Sequence, residues 1–255
     1  MELVIIGIAV LTMFVAQRVE HRLGAAAAGW FATLPIAFAV AAVSIAIVNS
    51  PVDAATAAFS AAGHIAPMIT YAVTFTITAP RWGAIRGFIA ATVAYVTASL
   101  LIIPLPSVGR IVLGIIAIAV GSMFMGRRPA PSEPLAAASP TQQRLSLVSG
   151  AVVVAGISLA NKLAGPELAG AVAAYPVMTT TLALFIAHRS GPVQATEALR
   201  GLVGSVPIYL VYCLAFAVTV TRTPPLVAML LATIAALATA AVTWRRVTGN
   251  INAEP

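Results

Sequence analysis

A stretch of 47 residues occurs twice in this chain, and the repeat limits its fold more than any other feature. Residues 29–75 align without a gap on residues 170–216, at a constant offset of 141 positions, and 13 of the 47 pairs are identical. The shared positions include glycine, proline, tyrosine and phenylalanine, which the high alanine content of the chain does not explain. We therefore expect two copies of one structural unit, each with four apolar segments.

The composition predicts that both copies lie in a membrane. The chain is 60% hydrophobic and 8% charged, so a soluble fold would have too little polar surface to cover it. The net charge of +7 comes from Lys and Arg that lie singly or in pairs between apolar segments, where they orient membrane helices rather than bind nucleic acid. The one cysteine, Cys213, lies in an apolar run and excludes an intrachain disulfide.

The apolar segments predict an all-α polytopic membrane protein with nine transmembrane helices. These are residues 3–16, 25–48, 51–78, 87–103, 111–125, 145–160, 168–187, 192–221 and 226–243. Most Lys and Arg fall on one side of this scheme, which places the N-terminus outside and the C-terminus in the cytoplasm. Five spans separate matching points of the two copies. Because five is odd, the copies cross the membrane in opposite directions.

The expected organisation is therefore an inverted repeat of four, one and four helices. The first four-helix repeat covers residues 1–104, and a single reversing transmembrane helix covers 105–126. A cytoplasmic linker rich in Pro, Ala and Ser covers 127–144, and the second, inverted repeat covers 145–255.

The third segment of each copy is predicted to break or kink. Residues 51–78 would form a continuous helix of roughly 40 Å, longer than a hydrocarbon core of roughly 30 Å. Gly63 and Pro67 lie in its middle, and Gly204 and Pro207 lie at nearly the same place in the second copy. Proline removes a helical hydrogen bond and glycine loosens the turn, so an interruption is expected in both copies.

The second copy resembles the GlpM family of small, four-span bacterial inner-membrane proteins. The resemblance is carried by LAG at 168–170, YP at 175–176, LFIAH at 184–188, EALR at 197–200 and VPIYLVY at 206–212. It implies an ancestor that paired as an antiparallel dimer, followed by fusion through one reversing helix, and a bacterial plasma (inner) membrane location. The first copy departs from the pattern, because Thr56 and Phe59 replace Glu197 and Arg200.

Two aromatic pairs are candidate pore- or substrate-lining residues. Tyr71 and Phe75 lie one turn apart on the third helix, and Tyr212 and Phe216 lie at the equivalent positions of the eighth. An in-plane two-fold axis would bring the two sets together. They either line a path for a solute or pack the two repeats against each other.

Two prolines and a threonine are candidates for a site near the middle of the membrane. Pro35 and Pro176 lie at equivalent positions inside the second and seventh spans, and Thr179 follows the second of them. In many inverted-repeat transporters such interruptions form the substrate site, although prolines are also tolerated as bends. The Thr179 hydroxyl either faces a solute or bonds to its own helix backbone.

His64 and Arg200 are the ionisable candidates. His64 is expected deep in the bilayer beside Gly63, where it would relay a proton or bind an anion; the alternatives are a hydrogen-bonded structural histidine and an interfacial histidine. Arg200 follows Glu197 by three positions, so the two form either an exposed interfacial pair or a contact to a headgroup or substrate at the cytoplasmic mouth.

The sequence favours a transporter or channel for a small solute, an anion or a lipid. The alternative is an accessory or scaffold protein of cell-envelope or polysaccharide assembly, and either could act as a fused pseudo-dimer or as an oligomer. No residue pattern indicates a nucleophile with its base, a metal site or a bound cofactor, so we do not expect an enzyme.

Overall fold

The computed structural model describes residues 2–125, 148, 159 and 162–248, and this part of the chain is helical without a β-strand. The predicted linker and nearly all of the predicted sixth span lie outside it. The helices are α1 (Glu2–Ala32), α2 (Ile36–Val48), α3 (Pro51–Gly63), α4 (Ile65–Trp82), α5 (Ala84–Ile102), α6 (Ser107–Met125), α7 (162–174), α8 (Val177–Ser190), α9 (Pro192–Val220) and α10 (Pro225–Thr248).

Among the described residues, five helical segments are long and apolar enough to cross a membrane. They are Ala84–Ile102, Ser107–Met125, Lys162–Ser190, Pro192–Val220 and Pro225–Val242. The outward faces of α5, α6 and α10 carry large apolar side chains such as Leu101, Met123 and Leu237. A continuous apolar outer surface of this kind suits contact with lipid better than contact with water.

The predicted third segment is divided in the first copy and continuous in the second. α3 ends at Gly63 and α4 begins at Ile65, whereas α9 runs without a break through Gly204 and Pro207. A break of the helix is therefore absent from the second copy, and a kink at Pro207 stays a prediction. A single proline removes one helical hydrogen bond, and in a packed helix this loss does not end the helix. Pro67 lies in the first turn of α4, where its missing N–H is not required.

Two further glycines interrupt their helices at equivalent positions. Gly24 in α1 has φ 85°, and Gly165 in α7 has φ 82°, a backbone conformation that favours glycine. Their separation is again 141 positions. The structural correspondence between the copies therefore begins before residue 29.

The two copies contact each other reciprocally through small residues. A Cβ added at Gly29 would lie 1.9 Å from the carbonyl oxygen of Ala198, and a Cβ added at Gly170 would lie 2.2 Å from that of Ala57. Ala57 and Ala198 are themselves equivalent residues at the offset of 141. The same close contact is thus made twice with the copies exchanged, and only glycine allows this approach of the backbones.

A second reciprocal contact joins the same helices. A Cβ at Gly201 would lie 1.9 Å from the carbonyl oxygen of Ala26. At the equivalent positions, the Ser60 hydroxyl donates a hydrogen bond of 2.6 Å to the Glu167 carbonyl oxygen. In both cases the third segment of one copy lies against the helix that precedes the proline break of the other. The Ala-rich core of the protein is built on these crossings.

Candidate functional site

The helix breaks before Pro35 and Pro176 have the same backbone hydrogen bonds. In the first copy, Leu34 N–H donates to the Phe31 carbonyl at 3.1 Å and Ile36 N–H donates to the Leu34 carbonyl at 2.7 Å. The equivalent bonds of the second copy, from Tyr175 to Val172 and from Val177 to Tyr175, measure 3.2 and 2.8 Å. Proline supplies no N–H, so the regular helical bond at its position cannot form.

Both breaks line one pocket with a volume of about 50 Å³. Five equivalent positions contribute a residue from each copy, so the pocket lies where the copies meet. These pairs are Ala32 with Ala173, Leu34 with Tyr175, Pro35 with Pro176, Phe38 with Thr179, and Met68 with Tyr209.

The two copies give this pocket different chemistry. In three of the pairs the first copy has an apolar side chain where the second copy has a hydroxyl-bearing one. They are Leu34 with Tyr175, Phe38 with Thr179, and Met68 with Tyr209. The second copy therefore brings three hydroxyl-bearing side chains to the pocket, whereas the first copy brings one, Thr33.

Two threonines join the breaks directly across the copies. The Oγ1 atoms of Thr33 and Thr179 are 3.0 Å apart. The Thr33 hydroxyl donates to the Gly29 carbonyl at 2.8 Å, so its only hydrogen is used and Thr179 is the donor to Thr33. Thr179, Pro35 and Pro176, which we singled out in the sequence, thus lie together at one site.

The candidate tyrosines and phenylalanines lie behind the pocket and not among the residues that line it. Tyr71, Phe75, Tyr212 and Phe216 are fully buried, and in each copy the tyrosine stacks on the phenylalanine one turn later.

Each tyrosine also packs edge-on against a ring of the pocket wall that belongs to the other copy. Tyr71 contacts Tyr175 at 5.5 Å between centroids, and Tyr212 contacts Phe38 at 6.3 Å. The hydroxyls of Tyr71 and Thr180 also form a hydrogen bond of 2.8 Å; Thr180 donates its only hydrogen to the Pro176 carbonyl, so Tyr71 is the donor. These contacts favour the packing alternative for both pairs.

His64 lies level with the end of α5, one of the apolar helices long enough to cross a membrane. α5 runs antiparallel to α4, because Gly87 near the start of α5 packs on Ala79 near the end of α4. Gly63 in turn packs on Arg110, whose guanidinium donates to the carbonyls of Ile103 and Leu105 in the turn after α5. This arrangement favours the structural or interfacial alternative, and the depth of His64 in a membrane stays a prediction.

The contacts of His64 are those of a structural histidine. It connects α3 to α4, and its Nδ1 lies 2.8 Å from the Ser60 carbonyl oxygen. That oxygen can only accept, so Nδ1 carries the proton and donates the bond.

Arg200 forms an ion pair with Glu197 that is more buried than the sequence indicated. The Arg200 Nη1 and Glu197 Oε1 atoms are 2.7 Å apart, and the Glu197 side chain is 8% exposed. A largely exposed pair is therefore not what forms, because α9 packs on α1 along this face. Neither residue lines the pocket between the breaks.

Sequence reasoning missed several residues that the structure brings to the site or close to it. Thr33, Met68 and Tyr209 line the pocket, but the copies differ at these positions, so identity within the repeat did not reveal them. Glu20 of α1 forms a buried ion pair with Arg189 of α8 and so joins the helices that carry the two breaks. Glu20 and Arg189 are far apart in the sequence, so no local pattern indicated that they would pair.

No family model, curated protein or solved structure matches the chain. The resemblance to the GlpM family therefore stays a prediction. Among the described residues, no group of three or more His, Cys, Asp or Glu could hold a metal ion.

Proposed function

We propose that this chain is a small membrane transporter or channel whose site lies between two inverted repeats. In this proposal it crosses a bacterial plasma membrane nine times, in the four, one and four arrangement, with its N-terminus outside. It would move a small solute, an anion or a lipid. The five apolar segments that are long enough to span a membrane support the membrane location.

The reciprocal contacts support the repeat. Equivalent residues exchange roles across the interface at Gly29 and Gly170, as a two-fold relation between the copies requires. An axis in the membrane plane would make the copies antiparallel, which agrees with the odd number of spans counted between them. This relation is typical of transporters that evolved from paired, oppositely oriented ancestors.

The observation that carries the functional proposal is the pocket at the two helix breaks. Transporters with inverted repeats commonly bind substrate where helices are interrupted, because the interruption leaves backbone groups free and allows the half-helices to change angle. Here the same break occurs twice, and both copies line one pocket of about 50 Å³. A scaffold protein would not need this feature.

Flux through purified protein in liposomes tests the proposal. The test solutes are small anions, neutral osmolytes and fluorescent lipids, with protein-free liposomes as the blank. Thr179→Leu places an apolar side chain in the pocket and should reduce the flux at least tenfold.

Thr181→Leu is the matched control. Thr181 lies two positions along the same helix, bonds to the Val177 carbonyl and does not line the pocket, so its flux should equal that of the parent. If no solute of any class moves, the proposal is wrong and an accessory role in envelope assembly is favoured. If Thr179→Leu transports like the parent, the pocket is not the site.

A further inference from the structure

We propose that the ion pair between Glu20 and Arg189 is a gate that closes the pocket to the cytoplasm. The proposal rests on the proposed function for the pathway through the pocket, and it names the contact that controls this pathway. Three features carry it: the burial of the pair, its place on the two helices that meet at the pocket, and the different residues at the equivalent positions of the other copy.

Both side chains of the pair are shielded from solvent. The Arg189 side chain is 9% exposed and the Glu20 side chain 4%, and a guanidinium nitrogen of Arg189 donates to a carboxylate oxygen of Glu20. Arg18, His21 and Arg22, which lie beside Glu20 in the chain, are exposed. Because a buried charge that loses its partner is left poorly solvated, the pair resists separation of the two helices.

The pair joins the two helices that meet at the pocket, at a distance from their meeting point. Thr33, directly after α1, contacts Thr179 near the start of α8. Arg189 lies ten residues beyond Thr179 on the same helix, which corresponds to about 15 Å along the helix axis. The two helices are therefore joined at the pocket by two hydroxyls and further from it by two opposite charges.

Both members of the pair belong to segments that we expect on the cytoplasmic side. Glu20 lies between the first and second predicted spans, and Arg189 lies between the seventh and eighth. The distribution of Lys and Arg assigns both segments to the cytoplasm, and a contact between their side chains agrees with a common side. The pair therefore lies between the pocket and the cytoplasm in the proposed topology.

The equivalent positions of the other copy cannot form such a pair. At the offset of 141, Glu20 corresponds to Asn161, which lies outside the described residues, and Arg189 corresponds to Val48, which is exposed. Asparagine and valine do not attract each other as opposite charges do. In transporters with inverted repeats, one repeat moves against the other to open the pathway to either side. A contact that only the cytoplasmic side can form therefore favours the state closed to the cytoplasm.

The accessibility of the pocket from each side of the membrane tests the proposal. Val177→Cys in a Cys213→Ala background places one thiol among the residues that line the pocket. With the ion pair intact, an impermeant maleimide should label this thiol more slowly in sealed inside-out vesicles than in right-side-out vesicles. Equal rates from the two sides would overturn the proposal, and this comparison does not require a change to the ion pair.

Variants of the pair then identify the gate. Glu20→Gln removes the carboxylate charge with little change in size and should speed labelling from the cytoplasmic side about tenfold, as expected when a buried pair that favours one of two states is lost. Glu20→Arg combined with Arg189→Glu exchanges the two charges, so the pair can form again and the labelling should return to the slow rate.

Glu197→Gln is the matched control. It removes the carboxylate of another buried ion pair, whose two members lie on the same helix, α9, so no helices are joined by it. Its labelling rate should equal that of the protein with both pairs intact. An unchanged rate in Glu20→Gln, or fast labelling of the charge-exchanged protein, would overturn the proposal.

Labelling and flux separate this proposal from the one on which it rests. Faster cytoplasmic labelling in Glu20→Gln, without flux of any solute through the parent, supports the closure of the pocket by the pair and refutes the transporter. Flux through the parent, together with an unchanged labelling rate in Glu20→Gln, supports the transporter and refutes the gate.

Discussion

Adding a single methyl group at either interface glycine should destabilise the folded chain. The substitutions are Gly29→Ala and Gly170→Ala. The new Cβ would lie 1.9 Å from the Ala198 carbonyl oxygen in the first and 2.2 Å from the Ala57 carbonyl oxygen in the second. Both atoms belong to helix backbones that cannot rotate away, so the packed helices must move apart by more than about 1 Å to restore a normal contact of about 3.5 Å.

The expected loss follows from two opposing effects. Overpacking of a close contact costs about 1–3 kcal/mol, and the separation of two helices weakens the neighbouring contacts as well. Alanine regains at most about 1 kcal/mol through its higher helix propensity. We therefore expect each variant to lose about 2 kcal/mol of unfolding free energy, and the two losses to be similar because the contacts are reciprocal.

Denaturant unfolding of the purified chain in detergent, followed by circular dichroism, measures this loss. Gly109→Ala is the control, since the nearest atom to its new Cβ is an ordinary 3.6 Å away. It should be neutral or slightly stabilising. If both interface variants unfold at the parent midpoint, the close crossing of the copies is refuted. If only one of them is destabilised, the reciprocal relation is refuted.

Three further results are expected. Single cysteines at Ser50 and Ser139, in a background with Cys213→Ala, should be labelled by an impermeant maleimide in intact cells at the first position and spared at the second; the opposite pattern would refute both the orientation and the inverted repeat. Glu20→Leu removes the carboxylate of a buried ion pair and should cost about 3 kcal/mol of unfolding free energy, whereas an unchanged denaturation midpoint would refute the burial of that pair. Tyr71→Phe removes one buried hydrogen bond and should cost about 1 kcal/mol while the relative flux of different solutes stays unchanged; altered selectivity would return its hydroxyl to the pathway.

The repeat made part of the site predictable from the sequence. Pro35 and Pro176 are identical in the two copies, and proline acts on its own backbone, so the position of each break follows from local chemistry. Thr179 was found because it follows such a proline. The structure places both breaks in one pocket. This contact could be expected from the sequence if equivalent segments of the two copies meet.

The remaining site residues depend on tertiary contacts that no local pattern contains. Tyr209 occupies the position equivalent to Met68, and in the sequence this difference indicates only that the copies have diverged. The structure shows that both residues line one pocket. The burial of Glu197 depends on how α9 packs on α1. The position of His64 beside the end of α5 depends on how these helices pack, and the apolar run that contains His64 does not specify this packing. Contacts between helices that are distant in the sequence determine the surroundings of Tyr209, Glu197 and His64.

A disulfide between the two helix breaks tests the central claim most directly. The Oγ1 atoms of Thr33 and Thr179 are 3.0 Å apart, so cysteines at both positions should lie within disulfide reach in a Cys213→Ala background. Oxidation should cross-link the two copies and stop the flux in liposomes, and a reductant should restore it, while each single-cysteine variant keeps its flux under the same oxidant. A cross-link that forms and leaves the flux unchanged would contradict the claim that solute passes between the repeats at this pocket.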